Sequence, residues 1–161
     1  DQNGRGLVLS DLEDVRLLAG PAITGRNQVL DWQSTHAGVK VTSLPGATVR
    51  QALLNLVLNA SAAAGDGGKI SVETTLDEAG YLIIAVSDSG PGLGDAAADV
   101  LTSQAPWPAA QAAGGLGLWM VRRLVDDVGG QVDVCGGDTN KTVITLRLPF
   151  SACKGGAADA A

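Results

Sequence analysis

Apolar residues recur along this chain in two rhythms, one of about 3.6 residues and one of two, and the switches between them mark out a series of short elements. Leu7-Val8-Leu9 reads as a strand. Ser10 and Glu13 form an S-x-x-E capping box, in which each side chain satisfies an orphan backbone donor, and so predict a helix from about Asp11. Gly20-Pro21 is expected to stop or kink it, because proline lacks the amide hydrogen that a helix interior needs. Gln28 to Trp32 and Val39 to Val41 predict two strands, paired as a hairpin around His36-Ala37-Gly38.

Past the Pro45-Gly46 turn, Val49, Leu53, Leu56, Val57 and Ala60 follow the rhythm of a buried helical face over 50–64. Asn55 and Asn59 share one side of that helix, being one turn apart. Gly65 to Gly68 ends it. Ile70, Val72 and Thr74 alternate with Ser71 and Glu73, as in a half-buried strand. Tyr81 to Val86 is nearly continuous in apolar residues and predicts a central strand. Asp95 to Ala113 reads as a long loop, and Leu118, Val121, Leu124, Val125 and Val128 as one face of a helix closed by Gly129-Gly130. Gln131 to Cys135 and Thr142 to Leu148 complete the strands. Hairpins followed by helices predict an α+β sandwich, an antiparallel or mixed sheet covered on one face by helices. The domain is expected over 7–150, between a flexible 1–6 and a disordered tail at 151–161.

Composition narrows the function. The 161 residues suit one domain, and 45% apolar residues exclude a disordered chain. Aromatic residues are only 3%, so aliphatic side chains must fill the core. A net charge of -6 argues against a nucleic-acid-binding face. Cys135 and Cys153 lack the neighbours of a zinc site and are expected as unpaired thiols in a reducing compartment. No apolar run approaches the roughly 20 residues of a membrane span, and residues 1–6 lack the features of a signal peptide.

Two stretches carry candidate chemistry. Asp88-Ser89-Gly90-Pro91-Gly92 follows the central strand. A carboxylate there can accept a hydrogen bond from an exocyclic amine such as that of adenine, or can simply lie solvated in a tight turn. Gly114-Gly115-Leu116-Gly117-Leu118 opens a helix, where free amides and the helix dipole suit phosphate, or where glycines merely form a hinge. Neither the P-loop nor the dinucleotide fingerprint occurs.

With these stretches in this order, the chain resembles the catalytic, ATP-binding domain of bacterial sensor histidine kinases, in the superfamily of DNA gyrase B and MutL. Q-A-L-L-N-L-V-L-N-A looks like that family's N box, S-D-S-G-P-G-L its G1 box, G-G-L-G-L-W-M-V its G2 box and T-V-I-T-L-R-L-P its closing strand. The resemblance implies a Bergerat-type ATP-binding fold, a two-layer α/β sandwich whose mixed, mostly antiparallel sheet carries three helices on one face. It implies that Asn59 holds Mg²⁺ with Asn55 in support, that Asp88 binds the adenine amine, and that Gly90 and Gly92 shape the adenine pocket. It implies phosphate contacts at Gly115, Leu116, Gly117 and Leu118, a position near adenine for Thr142, and a mobile ATP lid at 93–113.

The implied reaction is transfer of the γ-phosphoryl of Mg-ATP to a histidine on a separate dimerisation domain, expected to precede Asp1, with a response regulator downstream. His36 is the sole histidine and lies in a predicted hairpin, which does not suit a phosphoacceptor. The implied location is cytoplasmic, within a parent protein that can be membrane-anchored, without direct membrane contact or nucleic acid. Several positions depart from the family pattern. Ala113 replaces the first glycine of the G2 box, Ala62 replaces a basic residue after the N box, and 93–113 contains no Lys or Arg. Arg122, Arg123 and Lys69 are the nearest cations in sequence. These departures leave open a degenerate interaction module of the same fold. An anti-sigma-factor serine kinase is the third reading, opposed by Asn55 where the ATP-hydrolysing relatives place a glutamate.

Overall fold

The computed structural model describes residues 6–35, 41–77, 79–90, 116–136, 142–150 and 152–153. In chain order the elements are β1 (Gly6–Val8), α1 (Leu9–Gly25), β2 (Val29–Thr35), β3 (Val41–Pro45), α2 (Gly46–Ala64), β4 (Lys69–Leu76) and β5 (Tyr81–Asp88). They continue with α3 (Leu116–Val128), β6 (Gln131–Gly136), β7 (Thr142–Pro149) and β8 (Ala152–Cys153).

The strands β4, β5 and β7 bury every second residue, so one face of their sheet is covered and the other is not. That sheet has the order β2-β4-β5-β7-β6. Its β2–β4 pair is parallel and the other three pairs are antiparallel. The inward residues of the strands join Leu12 and Val15 of α1, Leu53, Leu56 and Val57 of α2, and Val121 and Leu124 of α3 in one core. Each fully buried Leu, Ile or Val contributes roughly 1.5–3 kcal/mol relative to exposure. Among the described residues, the α+β sandwich with three helices on one face of a mixed, mostly antiparallel sheet is thus the observed architecture. A second, small sheet, β1-β3-β8, stands apart from it.

Three expectations are corrected. First, α1 starts at Leu9, before the expected cap, and runs through Gly20-Pro21 to Gly25. The carbonyl that Pro21 deprives of a donor belongs to Leu17, which is 75% exposed, so water can reach it. Meanwhile Val15 and Ala19 before the proline and Ile23 after it are all buried. Core burial on both sides holds the helix together.

Second, β2 and β3 do not form a hairpin. β2 pairs in parallel with β4, Leu30 opposite Ile70 and Trp32 opposite Val72, whereas β3 pairs with β1 and β8. His36 to Lys40 lie outside the described residues. As expected, β5 is the central strand; its alternate residues are buried, and Ile83 and Ala85 face the uncovered side. Third, Ala152 and Cys153, within the expected tail, pair with Thr42 and Val41. Residues 154–161 lie outside the description.

Candidate functional site

Apart from Thr74 of β4, the inward rows of β4, β5 and β7 are apolar except near one end. There Ile70, Asp88 and Thr142 stand side by side on β4, β5 and β7. Asp88 is 7% exposed and Thr142 is 3% exposed. Placing a carboxyl and a hydroxyl in core register opposes folding unless something partners them.

Asp88 has one local partner: the Gly90 amide donates to its Oδ1 at 2.8 Å. Burial pushes the Asp88 carboxyl above the usual carboxylate range, and the Gly90 amide pulls it part of the way back. The turn after β5 is pinned to the start of β4. Lys69 N donates to Ser89 Oγ, and Ser89 N donates to Lys69 O, each at 3.1 Å. Gly90 is required by close approach: a Cβ there would lie 2.2 Å from the Ala63 carbonyl oxygen and 2.9 Å from Asp88 Oδ1. Thr142 Oγ1 is buried without a hydrogen-bond partner among the described residues. An unmade bond of that kind costs about 1–3 kcal/mol.

α2 roofs this end of the sheet. Asn59, Ala60 and Ala63 from the helix and Val86, Asp88, Thr142 and Ile144 from the strands enclose a narrow recess of about 20 Å³. That is room for about one water, so a larger guest must widen it. Asn59 is half-buried at its edge. Asn55, one turn earlier, does not line the recess, and its Oδ1 accepts a bond from Gln51 Nε2 at 3.2 Å.

The fold therefore brings together Asn59, Asp88, Gly90 and Thr142. Leu118 is in the core at 4% exposure, and Leu116 and Gly117 lie in the first turn of α3. Gly92, Gly115 and the stretch 93–113 lie outside the described residues. None of the three cations named from the sequence lines the recess, and Lys141, next to Thr142, lies outside the described residues. Arg122 Nε sits 3.0 Å from the Asp126 carboxylate and Arg123 Nε 3.6 Å from Asp127. Lys69 is exposed and, by register beside inward Ile70, belongs to the uncovered face. None of the described recess-lining residues is a cation.

Ala60, Ala63, Val86 and Ile144 were not singled out from sequence as site residues, Ala60 being read only as part of the buried face of α2. A signal existed for the alanines, since small residues beside Asn59 on the same helix leave room for a guest. The recess offers a buried acceptor, an unpartnered hydroxyl and apolar walls, a set that fits a flat heteroaromatic ring bearing an amine. Asn59 adds an amide oxygen at the edge, a hard donor of the kind Mg²⁺ accepts.

The family model described as histidine kinase-, DNA gyrase B-, and HSP90-like ATPase matches residues 46–152. The chain is 39% identical over 102 residues to sensor histidine kinase ZraS of Escherichia coli (strain K12), covering 63% of this chain and 21% of that protein. It is 35% identical over 97 residues to the C4-dicarboxylate transport sensor protein DctB of Rhizobium meliloti (strain 1021), covering 58% and 15%. The chain thus spans about a fifth of the length of the curated relatives it matches.

Among solved structures, the nucleotide-free catalytic domain of histidine kinase ThkA has a TM-score of 0.65 at 24% identity, covering 87% of this chain and 90% of that one. Full-length ShkA in complex with AMPPNP has a TM-score of 0.71 at 23% identity, covering 91% and 30%. At these identities the structural likeness establishes the fold.

Proposed function

The chain belongs to the family of histidine kinase-, DNA gyrase B- and HSP90-like ATPases, and from that premise we propose that it binds Mg-ATP around Asp88 and donates the γ-phosphoryl to a histidine on a separate dimerisation domain. One observation carries the nucleotide reading: Asp88 and Thr142 stand adjacent in core register, the hydroxyl unpartnered, against apolar walls. Ionised Asp88 would accept from the exocyclic amine of adenine. That donor replaces the water that burial removes. The Thr142 hydroxyl would bond a ring nitrogen, directly or through one water.

Asn59 would hold Mg²⁺ through its side-chain oxygen, with Asn55 in support. Gly92 would complete the adenine pocket. Gly115, Leu116, Gly117 and Leu118, around the start of α3, would present backbone amides to phosphate, with 93–113 as the lid over the nucleotide. ATP supplies the transferable phosphoryl group, and the residues of the chain bind and orient it. An amide at Asn55 cannot take a proton from water, which favours transfer to a partner over independent hydrolysis. The partners are then the histidine-bearing dimerisation domain and, after it, a response regulator.

Mixing the chain with that dimerisation domain and γ-labelled ATP tests the reading. Label is expected on the histidine of the partner domain and is expected to vanish with Asn59→Ala. Tight ATP binding without transfer would contradict it. A second reading, an interaction module that does not hold nucleotide, is favoured by the narrow recess and its lack of a lining cation. It predicts that an Asn59→Ala, Asp88→Ala double variant retains a partner irrespective of ATP.

A further inference from the structure

Opposite the recess, the last turn of α2 is held by a buried polar cluster that the proposed chemistry does not use. Gln28, at the entry to β2 and only 9% exposed, donates from Nε2 to two carbonyls at the end of α2: Ser61 O at 2.8 Å and, from the residue that caps the helix, Gly65 O at 2.7 Å. Its Oε1 accepts from the fully buried Ser61 hydroxyl. Arg26 NH1 donates to that same Ser61 Oγ at 2.8 Å, and the Arg26 carbonyl accepts from Gly67 N at 2.8 Å. Final-turn carbonyls of a helix lack intrahelical donors, and α2 has no basic residue in its own last turn. Gln28 supplies donors from outside the helix, and Arg26 brings a positive charge to the negative end of the dipole.

The placement matters for the site. Ser61 and Gly65, the two carbonyls held, flank Ala63 by two residues on either side. Ala63 in turn lines the recess, and its carbonyl meets Gly90, whose amide holds Asp88. Asn59 shares the Ala63 side of the helix, one turn earlier. The last turn of α2 is therefore gripped on one side by Gln28 and seated on the other against the Gly90–Asp88 turn.

We propose that Gln28, with Ser61 and Arg26, is a positioning device for the nucleotide site: it sets the height of Ala63 and Asn59 over Asp88. The proposal rests on the nucleotide-binding reading above. Gln28 touches no substrate and acts only through α2.

The test compares Gln28→Met with Thr74→Val. Thr74 is also fully buried and bonds Ser34 Oγ at 2.8 Å, but it sits four residues along β4 from Ile70, the partner of Asp88. ADP affinity is measured with Mg²⁺ well below the melting midpoint, so that every variant is folded, together with the amide resonance of Gly90. A positioning role predicts that Gln28→Met weakens ADP roughly tenfold and moves the Gly90 resonance. Thr74→Val is expected to lower the melting midpoint and leave both unchanged. If Gln28→Met also lowers only the midpoint, the proposal is overturned and the cluster is scaffold. Should Gln28→Met not fold, Ser61→Ala, which keeps both Nε2 bonds, carries the same readouts with a smaller expected change. A wild-type chain that binds no ADP overturns the nucleotide reading instead, and the Gly90 resonance then decides the positioning claim by itself.

Discussion

Asp88 opposes the fold that holds it. Its carboxyl is raised above 3.8 because burial removes water from the charged form, and the Gly90 amide only partly offsets this. The folded state therefore keeps the proton to higher pH than the unfolded state does. Stability contributed by this group is present at low pH and falls as pH rises from 3.8 through the raised value. Asp88→Asn keeps an oxygen for the Gly90 amide and has no charge to desolvate. Thermal melts at pH 7 should show a midpoint equal to or above wild type, with a flatter acid-side pH profile. The same variant should lose ADP affinity roughly ten- to a hundredfold, the worth of a hydrogen bond to a charged acceptor. In the wild type, affinity should fall as acid protonates Asp88.

Gly90→Ala is the opposite case, because its Cβ would collide with Ala63 backbone. Urea denaturation should report a loss of about 1–3 kcal/mol. Asp88 was legible in the sequence as the first polar residue to take an inward place after Leu82, Ile84 and Val86. Gln28 was not, because nothing local marks a glutamine that will meet a helix end 33 residues away.

At the scale of elements, local pattern worked where the partner of an element is the core itself. The buried faces of α2 and α3 and the alternation of β4 and β7 were readable because each element has one wet side and one dry side. It failed where the partner is distant. β2 pairs with β4 across the whole of α2, so no turn chemistry near His36 could announce it. At Gly20-Pro21, where a stop or a kink was expected, residues buried on both sides of the proline carry the helix through, which rules out the stop. The structure accordingly predicts slack in α1. Nothing lies within 4 Å of a Cβ built at Gly20, so Gly20→Ala should fit without displacement. Replacing a mid-helix glycine with alanine should stabilise by about 1 kcal/mol, read as a higher urea midpoint at constant slope.

At the scale of the molecule, the three helices among the described residues lie on one side of the sheet and leave a polar face on the other, with Asp31, Glu73 and Arg147 on it. That layering accounts for the strict alternation of the strands in a chain with so few aromatic residues. Of the inward polar residues of β4, β5 and β7, it puts Asp88 and Thr142 at the sheet end that α2 roofs and Thr74 farther along β4. The recess has no lining cation among the described residues, and the chain carries a net charge of -6. A polyphosphate arriving there meets little positive charge of the protein's own, so binding should depend steeply on Mg²⁺.

Calorimetric titration of the chain with ADP, with and without Mg²⁺, for wild type and Asp88→Asn, is the most direct measurement of the central claim. The account predicts micromolar binding by the wild type that needs both Mg²⁺ and Asp88. Unchanged affinity in Asp88→Asn, or no heat at millimolar nucleotide with Mg²⁺ present, would contradict it.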